Sequence, residues 1–239
     1  MNETLARRPP APPAAGRVFG SRLPVAEAYA ELLAGPGVER GLLGPRETPR
    51  LWERHLLNCA GLTDLIEPGQ TVLDLGSGAG LPGLVLAVLR SDITVVLVEP
   101  LQRRAAFLAE VVEQLGLTHV EVRRARAEEL LGSVAVDVVT ARAVAPLDRL
   151  AGWALPLLYT GGRLLALKGE RAVDELAVSA SAVRLAGGTA ERVVEVGSVE
   201  LGTAARVVVV ERGRPGAPAP GLRGARSRPG PGRRPGQRP

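Results

Sequence analysis

The sequence has one cysteine, Cys59, so it cannot form an internal disulfide, and one thiol cannot build a zinc site. A reducing, cytoplasmic setting and no metal are expected. Long apolar runs are missing: runs such as Val95–Val98 and Val207–Val210 are short. A membrane span needs about 20 such residues, which excludes a transmembrane protein. The first 17 residues alternate Arg with Pro and Ala and lack the apolar stretch of a secretory signal. Lysine is nearly absent: Lys168 is the single one among 30 basic residues. No Ser-His-Asp arrangement, metal cluster or acid pair stands out.

What is present suits one α/β domain: 239 residues, 46% hydrophobic, enough for a real core. The net charge of +5 is unevenly placed. Residues 213–239 hold seven arginines and no acid, which leaves residues 1–212 at −2. This Arg/Gly/Pro-rich tail and residues 1–19 are expected to be disordered, since neither can bury enough apolar surface to offset its ordering entropy. The folded unit is expected over 20–212, with 20–66 as its helical N-terminal part. The tail reads either as a solvated extension or as an electrostatic arm for RNA.

Between the tails, the hydrophobic spacing predicts helices over 25–33 and 49–60. Strand and helix signals then alternate. Strands are expected at 71–75, 93–98, 119–123, 134–141 and 163–167, the last entered through a Gly161-Gly162 turn. Helices are expected at 82–90, 101–115, 147–158 and 174–186. The spacing of Leu101, Ala105, Leu108, Val112 and Leu115 predicts the buried face of the second of these. Residues 192–196 and 206–211 read as a closing hairpin. Alternation of this kind implies a Rossmann-like, mainly parallel sheet with a C-terminal antiparallel hairpin. Ligands of such sheets sit beyond the carboxyl ends of the strands.

One strand end is rich in glycine: Asp74-Leu-Gly76-Ser-Gly78-Ala-Gly80-Leu81-Pro-Gly83. Gly78, Gly80 and Gly83 match the dinucleotide fingerprint literally, with Glu99 ending the next strand. However, Gly76 already closes the first strand, and Asp74 would face a pyrophosphate with like charge. S-adenosyl-L-methionine fits better. It carries an ammonium and a sulfonium, has no phosphate, and offers a ribose diol to Glu99. An acid before G-x-G-x-G and another ending the next strand is the pattern of class I S-adenosylmethionine-dependent methyltransferases, and that fold is expected. A nicotinamide-dependent oxidoreductase is the alternative from another class, and a methyltransferase of another RNA or of a small molecule is the alternative within it.

Other strand ends add candidates. Arg126-Ala127-Glu128-Glu129 follows the third strand and reads equally as an adenine contact or as a helix cap with its first turn. Arg142 ends the fourth strand, where a guanidinium would hold a cofactor or an RNA phosphate. Lys168 ends the fifth and reads as a substrate contact or as an ordinary surface cation. His55, beside Arg54 and three residues before Asn58, reads as an RNA or active-site contact or as a structural histidine. Cys59 lies on an apolar helix face and reads as a core thiol. Methylation of guanine N7 would need no general base, because N7 already has a free lone pair. Alignment would supply much of the rate.

Six stretches together resemble the RsmG (GidB) family of bacterial 16S rRNA guanine-N7 methyltransferases. They are Leu51-Trp-Glu-Arg-His-Leu-Leu-Asn58, Val72 to Gly83, Leu97 to Arg104 with Phe107-Leu108, Arg126-Ala-Glu128, Arg142-Ala143 and Ala166-Leu-Lys-Gly-Glu170. The similarity spans residues 20–212, and Gly44-Pro-Arg46 resembles the actinobacterial branch. Leu43-Gly-Pro-Arg46 replaces the W-N-L-T segment of many members. The resemblance implies cofactor contacts at Gly76, Leu81, Ala127, Glu128 and Arg142. Asp74, Gly78, Gly80 and Glu99 join them from the loop reading, with Arg142, Lys168 and His55 near the substrate. It also implies methylation of a guanine in the 530 loop of 16S rRNA, conventional position 527; the expected partner is 16S rRNA, the 30S subunit or its precursor, and a monomer is expected.

Overall fold

Runs of valine and leucine flanked by glycine or charged residues become strands here, because both sheet faces are covered. The computed structural model describes residues 9–213. Seven strands form one sheet in the order β3-β2-β1-β4-β5-β7-β6. They are β1 (Thr71–Leu75), β2 (Thr94–Val98), β3 (Val120–Arg123), β4 (Val136–Arg142), β5 (Leu158–Lys168), β6 (Gly188–Val196) and β7 (Ala205–Arg212). The first five are parallel, and β7 pairs antiparallel with both β5 and β6. The strand order reverses between β1 and β4, so the ligand crevice of such a sheet opens at their carboxyl ends.

The period-two alternation of side chains divides the core between two faces. Val72, Val95, Leu97, Val138 and Leu165 face α4 (Gly83–Leu89), α5 (Gln102–Gln114) and the N-terminal helical layer. Leu73, Leu75, Val96, Val139 and Leu164 face α6 (Leu147–Ala154) and α7 (Ala172–Leu185). Among the described residues, no helix is long and apolar enough to cross a membrane.

Several expectations need correction. Disorder over residues 1–19 fails from Pro13 onward, where Pro13–Phe19 forms α1. Ala15 and Phe19 are buried, Phe19 meets Trp52 edge-on with centroids 6.1 Å apart, and Trp52 Nε1 donates to the Pro9 carbonyl. The Ala/Pro/Arg composition hid this anchor, in which Phe19 and Ala15 are buried and Ala11, Ala14 and Val18 pack against the core. Residues 1–8 and the tail from 214 lie outside the described residues.

The helix expected at 49–60 is a composite. A 3₁₀ turn over Pro45–Arg50 leads into a π-helical stretch, Leu51–Leu57, and then a short α turn, Asn58–Ala60 (α3). The helix α2 (Leu23–Leu32) matches its expectation closely. In α5 the buried residues are Ala105, Phe107, Leu108 and Val111, while Leu101 is exposed because it sits at the N-cap. The helix expected to run to 158 tightens into a 3₁₀ turn at Leu155–Leu157 and then becomes β5. Gly161-Gly162 is a bulge inside β5 rather than the turn before it, with pairing jumping from Val136↔Leu158 to Val138↔Arg163. A Cβ on Gly162 would lie 2.9 Å from the carbonyls of Asp137 and Tyr159, so the backbones approach too closely for a side chain.

Candidate active site

The glycine loop after β1 is held by its own donors. Gly76 and Ser77 N–H donate to the Val98 carbonyl at 2.9 and 3.0 Å. Gly78 N–H donates to Glu99 Oε2 at 3.0 Å, and Gly83 N–H to Asp74 Oδ2 at 3.1 Å. Gly80 and Leu81 N–H turn back to the Ser77 carbonyl. Such a path needs left-handed backbone, and Gly76, Gly78 and Gly80 have φ of 69°, 58° and 99°. Tyr29, fully buried, ties the N-terminal layer to the loop through a 2.8 Å bond to the Ala79 carbonyl.

Asp74 and Glu99 lie beneath this loop rather than in the open crevice. Asp74 is completely buried, and its second oxygen accepts from Thr140 at 3.0 Å. Burial pushes its carboxyl up to about 6. Glu99 is 2% exposed and also accepts from Leu101 N–H. Both acids therefore shape the loop and set a negative field behind it. Leu81 is half-buried and packs against the N-terminal side of the core.

In front of the loop is a cavity of about 210 Å³, which brings Gly76, Ala127 and Glu128 together. Leu75, Val98, Val144 and Trp153 provide its apolar walls. Of the two readings of the 126–129 segment, the geometry carries the cap. Glu129 caps the 3₁₀ turn Ala127–Leu130 by accepting from Arg126 N–H at 2.7 Å, and Glu128 is left exposed at the cavity wall. A Cβ on Gly76 would lie 3.0 Å from Val144, so a bare backbone is required there.

A second cavity of about 530 Å³ opens on the other side of the β4 end. Glu53, Arg54, Asn58, Arg142 and Lys168 line it, so cations outnumber acids. Arg142 therefore does not line the cavity that holds Gly76 and Glu128. Its guanidinium reaches into the N-terminal layer instead, donating to His55 Nδ1 and the Arg54 carbonyl at 2.9 Å and to Cys59 Sγ at 3.2 Å. His55 is buried behind this cavity and bonds Glu47 through Nε2. Burial and the Arg142 charge push the His55 pKa down, and burial pushes the Cys59 thiol up to about 11. Cys59 is thus a protonated core thiol. Lys168 is tied by 2.7 Å to Glu175, whose Oε1 also accepts from Leu147 N–H, so it braces the β4–α6 connection while lining the cavity.

Four residues of this site were given no role from the sequence. Val144 and Trp153 wall the smaller cavity. Ala143, between the two cavities, holds φ at 54° without being glycine, a strained backbone of the kind found at functional sites. Glu47 completes the contacts of His55. Trp153 had a signal, as one of two tryptophans; Ala143 stood beside Arg142 in a resembling stretch, and Val144 and Glu47 had no signal.

A family described as rRNA small subunit methyltransferase G (GidB) matches residues 22–202. A ribosomal RNA small subunit methyltransferase G from Streptomyces avermitilis is 56% identical over 209 residues, 87% of this chain and 88% of that protein. A protein of the same description from Thermobifida fusca is 65% identical over 163 residues, 68% of this chain and 69% of its own length. Among solved structures, a methyltransferase from Pyrococcus furiosus aligns with a TM-score of 0.50 at 15% identity, over 64% of this chain and 80% of that one. A ribosomal protein L11 methylase from Lactobacillus delbrueckii subsp. bulgaricus aligns with a TM-score of 0.50 at 14% identity, over 66% and 78%. These two likenesses concern the fold alone.

Proposed function

The chain belongs to the rRNA small subunit methyltransferase G family, and we propose that it transfers a methyl group from S-adenosyl-L-methionine to guanine N7 in 16S rRNA. The target is a guanine of the 530 loop, conventional position 527, in the 30S subunit or its precursor. The enzyme acts as a monomer in the cytoplasm.

One observation carries the choice of cofactor. A loop that binds pyrophosphate needs free N–H groups. Here the N–H groups of Gly76, Ser77, Gly78, Gly80, Leu81 and Gly83 all have acceptors within the chain, and two of those acceptors are the carboxylates of Asp74 and Glu99. This arrangement disfavours a phosphate and suits a cationic ligand. It supports the methionine cofactor over a nicotinamide dinucleotide.

The small cavity suits the adenosine end. Apolar walls from Leu75, Val98, Val144 and Trp153 face a flat base, the exposed Glu128 can accept from an exocyclic amine, and Gly76 leaves the backbone open to close approach. When bound, the cofactor supplies a methyl group on a sulfonium. Around the larger cavity, Arg54 and Lys168 favour a nucleotide flanked by phosphates. No side chain has to remove a proton from N7, so the task of the chain is alignment and exclusion of water.

The test incubates the protein with methyl-labelled S-adenosyl-L-methionine and 30S subunits from a strain lacking the modification. Mass spectrometry then identifies the labelled nucleoside. 7-Methylguanosine at a single 530-loop site is expected. Label at another base, or none with cofactor binding intact, would return the substrate assignment to open.

A further inference from the structure

Glu47, His55 and Arg142 form a chain of contacts from the N-terminal layer to the carboxyl end of β4. Arg142 Nη2 lies 2.9 Å from His55 Nδ1, and His55 Nε2 lies 2.9 Å from Glu47 Oε2. A guanidinium nitrogen can only donate, so Nδ1 is an acceptor and the ring proton sits on Nε2, donated to Glu47. The other acceptors of Arg142 are the Arg54 carbonyl and the Cys59 sulfur. All three direct acceptors are neutral. Among the described residues, Nε and one Nη1 hydrogen of Arg142 have no acceptor. Glu47 is instead shared between His55 and Arg54, the latter at 3.5 Å.

The place of this cation matters. Arg142 lines the larger cavity, and Val144, two residues on, walls the smaller one. A ligand with its adenosine in the smaller cavity brings its other end towards Arg142. We propose that Glu47 and His55 are positioning residues, which hold the Arg142 guanidinium with two donors and a charge unmatched by direct contact, ready for the carboxylate of the cofactor's amino-acid end. This rests on the cofactor reading given above.

Two substitutions at one position separate the halves of the contact chain. In His55→Asn the amide oxygen falls near the place of Nδ1 and keeps an acceptor for Arg142. In His55→Gln the amide nitrogen falls near Nε2, which keeps the donor for Glu47 and loses the acceptor for Arg142. Calorimetry with the full chain would compare S-adenosyl-L-homocysteine with 5′-methylthioadenosine, which has no carboxylate. Melting temperatures would verify folding. His55→Gln is expected to weaken homocysteine-ligand binding about tenfold, the scale of one charge-assisted hydrogen bond. His55→Asn is expected to stay within about twofold, and methylthioadenosine to bind all three proteins alike.

The pH profile gives a second readout. Groups facing His55 are Glu47 and Arg54 from its own layer and Arg142 from β4, with Cys59 and the buried Asp74 beside Arg142. Protonation of Nδ1 removes the acceptor, so wild-type affinity for the carboxylate ligand falls at acid pH. His55→Asn lacks that limb, whereas a limb from Asp74 persists in both. Equal weakening by Asn and Gln, or equal loss for methylthioadenosine, would overturn the positioning role. Unchanged ligand binding with a raised KM for 30S subunits would move the anion to an RNA phosphate and overturn it too. A folded wild type that binds neither ligand would overturn the cofactor reading itself.

Discussion

The two cavities beside the end of β4 are built in different ways. The smaller is made of backbone and apolar walls, and its glycine loop is locked by N–H donors that already have acceptors. The larger is made of long charged side chains held by one another, Lys168 by Glu175 and Arg142 by His55. The backbone site is intolerant of added atoms and feels pH through the Asp74 carboxyl buried beneath its loop. A site of tethered side chains tolerates a change in shape but depends on protonation and on every member of the tether.

The severest way to break this contrast is Gly76→Val. A β-branched residue at φ 69° is strained, and its Cβ would press on Val144 at 3.0 Å. Cofactor affinity measured by calorimetry is expected to fall about 100-fold or more, since strain and lost space act together. Adding Val144→Ala relieves only the side-chain contact, so affinity is expected to stay low. Recovery in the double variant would mean that the wall, not the backbone, defines the site.

In the larger cavity, Lys168→Met is expected to act through its neighbours. Glu175 loses its cation in a half-buried place, at a cost of about 1–3 kcal/mol in urea unfolding. Methyl transfer is expected to slow as the β4–α6 connection loosens. Tyr29→Phe probes the back of the glycine loop. It leaves the Ala79 carbonyl without its buried donor, at a cost of about 1 kcal/mol and roughly 2–4 °C in melting temperature. Ala143→Gly is the smallest change. It releases the left-handed strain between the cavities and is expected to stabilise the chain by about 0.5–1 kcal/mol in the same unfolding measurement. A destabilised variant would show that the alanine methyl packs usefully there.

The same contrast explains what could be read from the sequence. The strands and the glycine loop were legible because their signals are local: apolar runs of strand length and three glycines within five residues. Gly76, Ala127 and Glu128 follow strand ends, and the sheet brings strand ends together whatever lies between them. Asp74 and Glu99 were found for the same reason, but their depth beneath the loop was not. It depends on which N–H groups they meet. The Arg142 tether was illegible because its partner is distant in sequence. His55 and Arg142 lie 87 residues apart, and no pattern in either segment names the other. α1 was missed because composition averages over a window, while Ala15 and Phe19 bury individually.

The order of strands has a consequence for biosynthesis. β7 lies between β5 and β6, although it is made after both. Until residues 205–212 leave the ribosome, β5 has an open edge along Arg163–Lys168, and Val207 to Val210 are missing from both faces of the core. The growing chain therefore cannot complete its sheet step by step. A release before Ala205 leaves an unsatisfied ladder beside exposed apolar surface, the usual start of aggregation.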